Sequence, residues 1–128
     1  MLQIALVVDD SMLIRHTVCR FLEDRGFSVE SATNGVEALE ILKDLVPDVI
    51  ITDLQMPKMD GHQLIEVLKS RPETARIPIV VLAGKQQPVD PKAKPYAQHV
   101  IYKDIDIEAQ LQRVLEIILP QPPANAAN

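Results

Sequence analysis

The sequence predicts a doubly wound α/β fold, in which a parallel β-sheet is covered by helices on both faces. Five short apolar runs alternate along the chain with segments whose apolar residues recur at helical spacing. Parallel strands need crossover connections, and these are right-handed in nearly all proteins. The length of 128 residues fits one domain, so a single sheet accounts for the folded chain.

The first half of the chain contains three predicted strands and two predicted helices. The strands are short runs at residues 4–8, 27–32 and 48–53, of which the second is the most polar. Ser11 is expected to cap the first helix, which ends near Gly26. Asn34 is expected to cap the second helix, which extends through Val46 and must stop before Pro47.

The second half continues the alternation with two more strands, at residues 77–82 and 100–102. Apolar residues at helical spacing mark a third helix and a final one: Leu64, Ile65 and Leu68, then Ile107, Leu111, Val114, Leu115 and Ile118. The segment between these strands contains Pro88, Pro91 and Pro95. The helix expected there should therefore be short, irregular or absent.

Composition excludes several classes of protein. Thirteen basic and eighteen acidic residues give a net charge of -5, which opposes binding to nucleic-acid phosphates. The lone Cys19 cannot pair within the chain and no secretory signal opens it, so we expect a cytoplasmic protein. Charge or proline interrupts the apolar stretches well short of a membrane span. Residues 120–128 are expected to be a disordered tail or a linker stub.

Acidic side chains lie where two of the predicted strands end. Asp9 and Asp10 follow the first strand directly, and Asp53 ends the third. Lys103 follows the fifth strand. The functional crevice of a parallel α/β sheet lies at the carboxyl ends of its strands. If the first and third strands are adjacent, the three carboxylates share a small volume and repel one another unless a cation lies among them.

This charge pattern indicates a specific chemistry. Mg²⁺ prefers carboxylate oxygens together with water, and it would relieve the repulsion. A carboxylate beside Mg²⁺ and an ammonium group is suited to accept a phosphoryl group, so an aspartyl phosphate is the predicted product.

Other candidate ligands and nucleophiles have simpler explanations. The histidines lack the spacing of metal ligands and are expected on the surface or in packing roles: His16, His62 and His99. Cys19 is expected to be a packed small side chain without a redox role. Asp60 and Gly61 are expected to shape a loop and start the third helix.

Three segments together resemble the receiver domain of two-component response regulators. They are the VVDDS run at residues 7–11, the DLQMPKMDG segment at residues 53–61, and Lys103. The resemblance extends over about residues 2–119, and the segment 53–61 is its most specific part. It implies a flavodoxin-like five-stranded sheet of order 2-1-3-4-5, with the receiver domain at residues 1–119.

The resemblance also implies a role for each site residue. Asp53 is the phosphoacceptor, and Lys103 contacts the phosphoryl group. Asp9 and Asp10 hold Mg²⁺ directly or through water, and the main-chain carbonyl of Gln55 completes the metal site. The donor is a phosphohistidine on a sensor histidine kinase or a phosphotransfer protein. The chain then signals through a further protein partner and is not itself an enzyme.

Three positions depart from the family pattern. Ala83 stands where the family has a Ser or Thr whose hydroxyl bonds the phosphoryl group. Val100 stands where an aromatic side chain follows that movement. Asp104 replaces a proline that commonly follows a cis peptide bond. Because a non-proline cis bond costs about 2.5–4 kcal/mol, we expect a trans bond there. The chemical residues are retained, whereas the usual switch residues are not.

Alternative functions are also open. A protein-binding module of receiver fold that signals without phosphorylation is favoured by the changes at Ala83 and Val100 and opposed by the intact acids. A phosphohydrolase acting on small phosphoesters would need a substrate-pocket motif, and the sequence contains none that is recognisable. Flavin binding is opposed by the charges of Asp9 and Asp10, which would repel a phosphate.

Overall fold

A computed structural model of the chain describes residues 3–84, 99–103 and 106–119. The strands are short and parallel: β1 (Ile4–Val8), β2 (Ser28–Ala32), β3 (Val49–Asp53), β4 (Ile79–Ala83) and β5 (His99–Tyr102). They form one sheet in the order β2-β1-β3-β4-β5. This confirms the predicted flavodoxin-like sheet and its strand order.

Four helices lie in the described part of the chain: α1 (Met12–Asp24), α2 (Gly35–Ile41), α3 (Gly61–Ser70) and α4 (Ile107–Ile118). Successive side chains of a strand point to opposite faces of the sheet. Ala5 and Val7 of β1 accordingly pack with residues of α1 and α4, whereas Leu6 and Val8 pack with residues of α2 and α3. The sheet is therefore covered on both faces, as predicted.

Side chains cap the first three helices, which start beside the carboxyl edge of the sheet. Ser11 and Asn34 accept hydrogen bonds from the main chain three residues later, at 3.3 and 2.9 Å, so both predicted caps are confirmed. Asp60 caps α3 and exchanges hydrogen bonds with Gln63 in a complete capping box. Asp60 thus starts a helix, as the sequence predicts.

The second helix is shorter than predicted. It ends at Ile41 with Leu42 as its C-cap, and the N–H groups of Lys43 and Asp44 then bond to carbonyls only three residues back. Val46, predicted to lie on the helix, is 66% exposed in the following segment. The chain must turn here, because the Asp48 N–H bonds to the Ile4 carbonyl at the start of the sheet. Tertiary pairing therefore ends the helix earlier than the apolar spacing indicates.

Three further predictions concern Cys19, membrane-spanning helices and the segments near the C-terminus. Cys19 of α1 is partly buried against the apolar cluster on this face of the sheet, and burial, followed by the charge of Glu23, raises the pKa of its thiol. None of the helices in the described ranges has both the length and the apolar composition needed to cross a bilayer. The proline-rich segment at residues 85–98, the predicted trans bond before Asp104 and the tail at residues 120–128 lie outside the described residues.

Candidate functional site

The carboxyl edge of the sheet brings the predicted acids and lysine together. β1 pairs with β3, so Asp9 and Asp53 emerge side by side. One carboxylate oxygen from each of Asp9, Asp10 and Asp53 lies within 4.8 Å of the other two. The Nζ of Lys103 is 2.8 Å from Asp53 Oδ1 and 3.1 Å from Asp9 Oδ2. We call these four residues the acidic cluster.

Lys103 reaches the acids across β4, which separates β3 from β5 in the sheet. The last residue of β4 is Ala83, which is fully buried and has a small side chain. The Lys103 N–H donates to the Ala83 carbonyl at 2.9 Å, which anchors the main chain while the long side chain extends toward Asp53. The small residue at position 83 therefore lies on the strand that the lysine crosses.

Asp9 is held by main-chain and side-chain contacts on several sides. Its N–H donates to the Ala32 carbonyl of β2, at 3.1 Å. Its Oδ1 accepts a hydrogen bond from the Ser11 N–H at 2.8 Å. Its Oδ2 is buried and accepts no aligned hydrogen bond from residues 3–84, 99–103 or 106–119, although it lies at ion-pair distance from Lys103. This oxygen retains the capacity to bind a further positive partner.

Asp53 is almost fully buried, at 2% exposure. Its Oδ1 accepts a hydrogen bond from the Leu54 N–H at 2.8 Å in addition to the contact with Lys103. Its main-chain carbonyl accepts from the Thr52 hydroxyl at 2.9 Å. The side chain is thus oriented by the main chain that follows it and by the lysine.

One lysine cannot neutralise two neighbouring carboxylates. Burial raises the pKa of Asp53; the Lys103 hydrogen bond opposes this shift and the Asp9 charge adds to it. Burial lowers the pKa of Lys103, but the hydrogen bond to Asp53 and the two negative charges outweigh it and raise the pKa overall. Lys103 therefore keeps its proton, and among the described residues of the cluster the carboxylates outnumber the ammonium group.

The loop after Asp53 packs tightly against the site. Gly61, the first residue of α3, donates its N–H to the Leu54 carbonyl at 2.9 Å. A Cβ atom at Gly61 would overlap the main-chain oxygen of Asp53. Gln55 lies at the start of this loop with an exposed side chain. The loop geometry therefore requires glycine where it closes onto β3.

The donor atoms suit a divalent metal ion. Three carboxylates converge, and the buried Asp9 Oδ2 accepts no aligned hydrogen bond in the described part of the chain. Asp10 is exposed, which gives the cluster an open side toward solvent. Hard cations such as Mg²⁺ bind through one or two carboxylates and retain several waters, which matches a site of this kind.

The departures from the family pattern lie beside the lysine. Ala83 is buried and has no hydroxyl to offer, and Val100 is half-buried in the same cluster of apolar side chains. Asp104 lies outside the described residues. The two described positions contribute packing and no hydrogen-bonding group.

The sequence reasoning missed Arg15. Its Nη1 donates to the Asp9 main-chain carbonyl at 2.9 Å, so it fixes the main chain of a residue of the acidic cluster. A signal was available in the sequence, because long side chains on a helix point back toward its N-terminus. An arginine in the first turn after the Ser11 cap can therefore reach the end of the preceding strand.

Mg²⁺ is expected to stabilise the folded protein through this cluster. A ligand that binds only the folded state at 100 times its Kd adds about 2.7 kcal/mol to the free energy of unfolding. The Asp9→Asn variant should lose most of this gain, because it removes one converging carboxylate. Thermal unfolding with and without Mg²⁺, at constant ionic strength, measures the effect. Asp44→Asn, at an exposed acid away from the site, is the matched control and should behave as wild type.

Comparison with known proteins gives consistent matches. A model of the response regulator receiver domain matches residues 5–115. A gliding motility regulatory protein of Myxococcus xanthus is 44% identical over 85 residues, which are 66% of this chain and 11% of that protein. The chemotaxis protein CheY of Treponema pallidum is 31% identical over 116 residues, covering 88% of this chain and 81% of that protein. This chain thus spans only a small part of the Myxococcus protein.

A solved structure agrees with these matches. The chemotaxis response regulator CheY4 of Vibrio cholerae superimposes with a TM-score of 0.80 at 30% identity. The match covers 93% of this chain and 100% of the Vibrio cholerae chain. The similarity therefore extends over nearly the whole sheet and its helices.

Proposed function

Because this chain belongs to the response regulator receiver domain family, we propose that it accepts a phosphoryl group on Asp53 in two-component signalling. The observation that carries the proposal is the lysine of the cluster, which contacts Asp9 and Asp53 at 3.1 and 2.8 Å. In the described part of the chain, three carboxylates meet one ammonium group, and the Asp10 side chain is exposed. Residues 1–119 would form the receiver domain.

The metal site would consist of Asp9, Asp10, Asp53 and the main-chain carbonyl of Gln55. Mg²⁺ bound there supplies positive charge that balances the negative charge developing on the phosphoryl oxygens during transfer. The support for it is the convergence of the acids, together with the buried Oδ2 of Asp9, whose one ion-pair partner among the described residues is Lys103. Arg15 would keep that carboxylate in place through the Asp9 carbonyl.

The transfer can be written atom by atom. Asp53 Oδ1 already accepts from Lys103 and from the Leu54 N–H, so we assign the attack on phosphorus to Oδ2. An O–P bond forms as the P–N bond of a phosphohistidine breaks, and the imidazole nitrogen takes the electron pair and is protonated by water. Lys103, which keeps its own proton, would then contact a phosphoryl oxygen. The product is an aspartyl phosphate.

The partners follow from this chemistry. The donor is a sensor histidine kinase or a phosphotransfer protein, which presents the phosphohistidine at the carboxyl edge of the sheet. The chain would be a stoichiometric acceptor in the cytoplasm, not an enzyme of repeated turnover. It would pass the signal to a further protein, since a net charge of -5 disfavours direct contact with nucleic acid.

Intact mass after incubation with acetyl phosphate tests the proposal. We expect one added phosphoryl group in wild type and in Asp44→Asn, only when Mg²⁺ is present, and none in Asp53→Asn. A modified Asp53→Asn variant would contradict the assignment of the acceptor. An unmodified wild type, even with a phosphorylated kinase as the donor, would contradict the proposal itself.

One observation favours a second function. The buried Ala83 and the half-buried Val100 provide neither the hydroxyl nor the aromatic group of the usual switch. A receiver fold with this composition could act as a protein-binding module without phosphorylation. The mass experiment separates the two, because the binding module needs no adduct on Asp53.

A further inference from the structure

The outer edge of β5 is closed by a side chain from α4. β5 is the last strand of the sheet, so no strand of the described ranges lies along one side of its main chain. Main-chain groups alternate between the two sides of a strand. Lys103 donates its N–H inward to Ala83, and Tyr102 accordingly directs its N–H and carbonyl outward.

The carboxamide of Gln110 pairs with both outward groups of Tyr102. The Tyr102 N–H donates to Gln110 Oε1 at 3.0 Å, and Gln110 Nε2 donates to the Tyr102 carbonyl at 2.9 Å. The same Nε2 also donates to the Asp106 carbonyl at 3.2 Å. Since an N–H needs an acceptor and a carbonyl needs a donor, these contacts select one orientation of the amide.

Gln110 stands where the helix pattern calls for an apolar residue. Ile107, Leu111 and Val114 of α4 face the sheet, and position 110 is three residues after the first of these and four before the last. Gln110 is half-buried there and bonds instead to the main chain at the exposed edge of β5. Its two bonds to Tyr102 satisfy it and tie α4 to the end of β5.

We propose that Gln110 is a positioning residue for Lys103. It fixes the main chain of Tyr102, and the next residue carries the ammonium group that contacts Asp53 at 2.8 Å. The lysine is thereby held from both sides, by the Ala83 carbonyl inside the sheet and by Gln110 at its edge. The inference rests on the proposed function, because the position of Lys103 matters for phosphoryl transfer.

The first test measures the main chain directly. Gln110→Leu keeps the size of the side chain and removes both hydrogen bonds, so amide hydrogen exchange at Tyr102 and Lys103 should speed up by about tenfold. Gln110→Glu retains the acceptor and should give a smaller change. Gln112→Leu is the matched control, because Gln112 lies on the same helix and bonds Arg25 and Glu116 instead of β5.

The second test asks whether the effect passes through the lysine. The rate of phosphoryl addition from acetyl phosphate should fall about five- to tenfold in Gln110→Leu and by less than about twofold in Gln112→Leu. In a Lys103→Ala background, the same Gln110→Leu change should have almost no effect, since contacts that act through one group are not additive.

Each outcome bears on one claim. Unchanged amide exchange at Tyr102 and Lys103 in Gln110→Leu would show that Gln110 does not hold the main chain of β5. An equal loss of phosphorylation rate in the Lys103→Ala background would show that Gln110 does not act through Lys103. A wild type that takes up no phosphoryl group would refute the proposed function alone, and the exchange experiment would still decide whether Gln110 holds β5. If Gln110→Leu does not fold, the exchange experiment is carried out on Gln110→Glu. Faster exchange at Tyr102 and Lys103 in that variant supports the proposal, and unchanged exchange refutes it.

Discussion

Gly61→Ala is expected to destabilise the protein by about 1–3 kcal/mol or more, the range seen when an extra methyl group is forced into a packed core. The added Cβ would overlap the Asp53 main-chain oxygen and lie 2.9 Å from the Leu54 Cα, and neither of these main-chain atoms can move as a flexible side chain could. Alanine within a helix is normally more stable than glycine by about 1 kcal/mol. The expected sign is thus reversed here by the approach of α3 to β3. Urea unfolding measures the change.

Gly26→Ala is the control for this prediction. Gly26 has a φ of +91°, and no heavy atom lies within 4 Å of the place that a Cβ would occupy, so its cost comes from the left-handed backbone alone. It should lower stability by about 1–2 kcal/mol without disturbing the acidic cluster. A Gly61→Ala protein that is as stable as wild type and binds Mg²⁺ normally would show that α3 does not pack closely against β3.

Lys103→Met is expected to lower the free energy of unfolding at neutral pH by about 1–3 kcal/mol. Breaking a fully buried ion pair costs about 3–5 kcal/mol, and the 20% exposure of the lysine side chain reduces this figure. Without the ammonium group, Asp9 and Asp53 repel each other in a buried site. Chemical unfolding of wild type and variant across a range of pH measures the loss.

The stability lost in Lys103→Met is expected to depend on pH. The pKa of Asp53 is already raised, first by burial, and loss of Lys103 would raise it further. A carboxyl group with a raised pKa in the folded state favours folding when protonated, so the deficit of Lys103→Met should shrink as pH falls through that pKa. Added Mg²⁺ should also stabilise the variant more than wild type.

Lys43→Met is the matched control for the lysine. Lys43 pairs with Glu40 at 3.0 Å, but both side chains are mostly exposed, so this loss should stay below about 1 kcal/mol. A Lys103→Met protein that matched this control at neutral pH would show that the cluster does not depend on the lysine for its charge balance.

Much of the fold was predictable because its signals are local. Residues 4–8 and 49–53 are short apolar runs, and Ser11 and Asn34 are capping residues at the start of apolar periodicity. Strand order was available only through the resemblance to a family, since periodicity does not state which strands pair. The predicted end of α2 was wrong by several residues, because the chain turns to pair Asp48 with Ile4.

The acidic cluster was predictable for the same kind of reason. Asp9 and Asp10 follow β1 and Asp53 ends β3, and parallel strands bring such residues to one edge of the sheet. The contacts of Arg15, Gln110 and Gly61 were not predicted, because each joins groups distant in the chain or depends on a close approach between main-chain atoms.

Residue type and short-range spacing therefore specified the alternation of strands and helices and the chemical character of one edge of the sheet. How that chemistry is held depends on packing between elements. Packing placed Lys103 across β4 between two carboxylates, left one oxygen of Asp9 without an aligned partner, and set Gln110 against Tyr102. These are distances between elements, and they exist only once the helices have packed on the sheet.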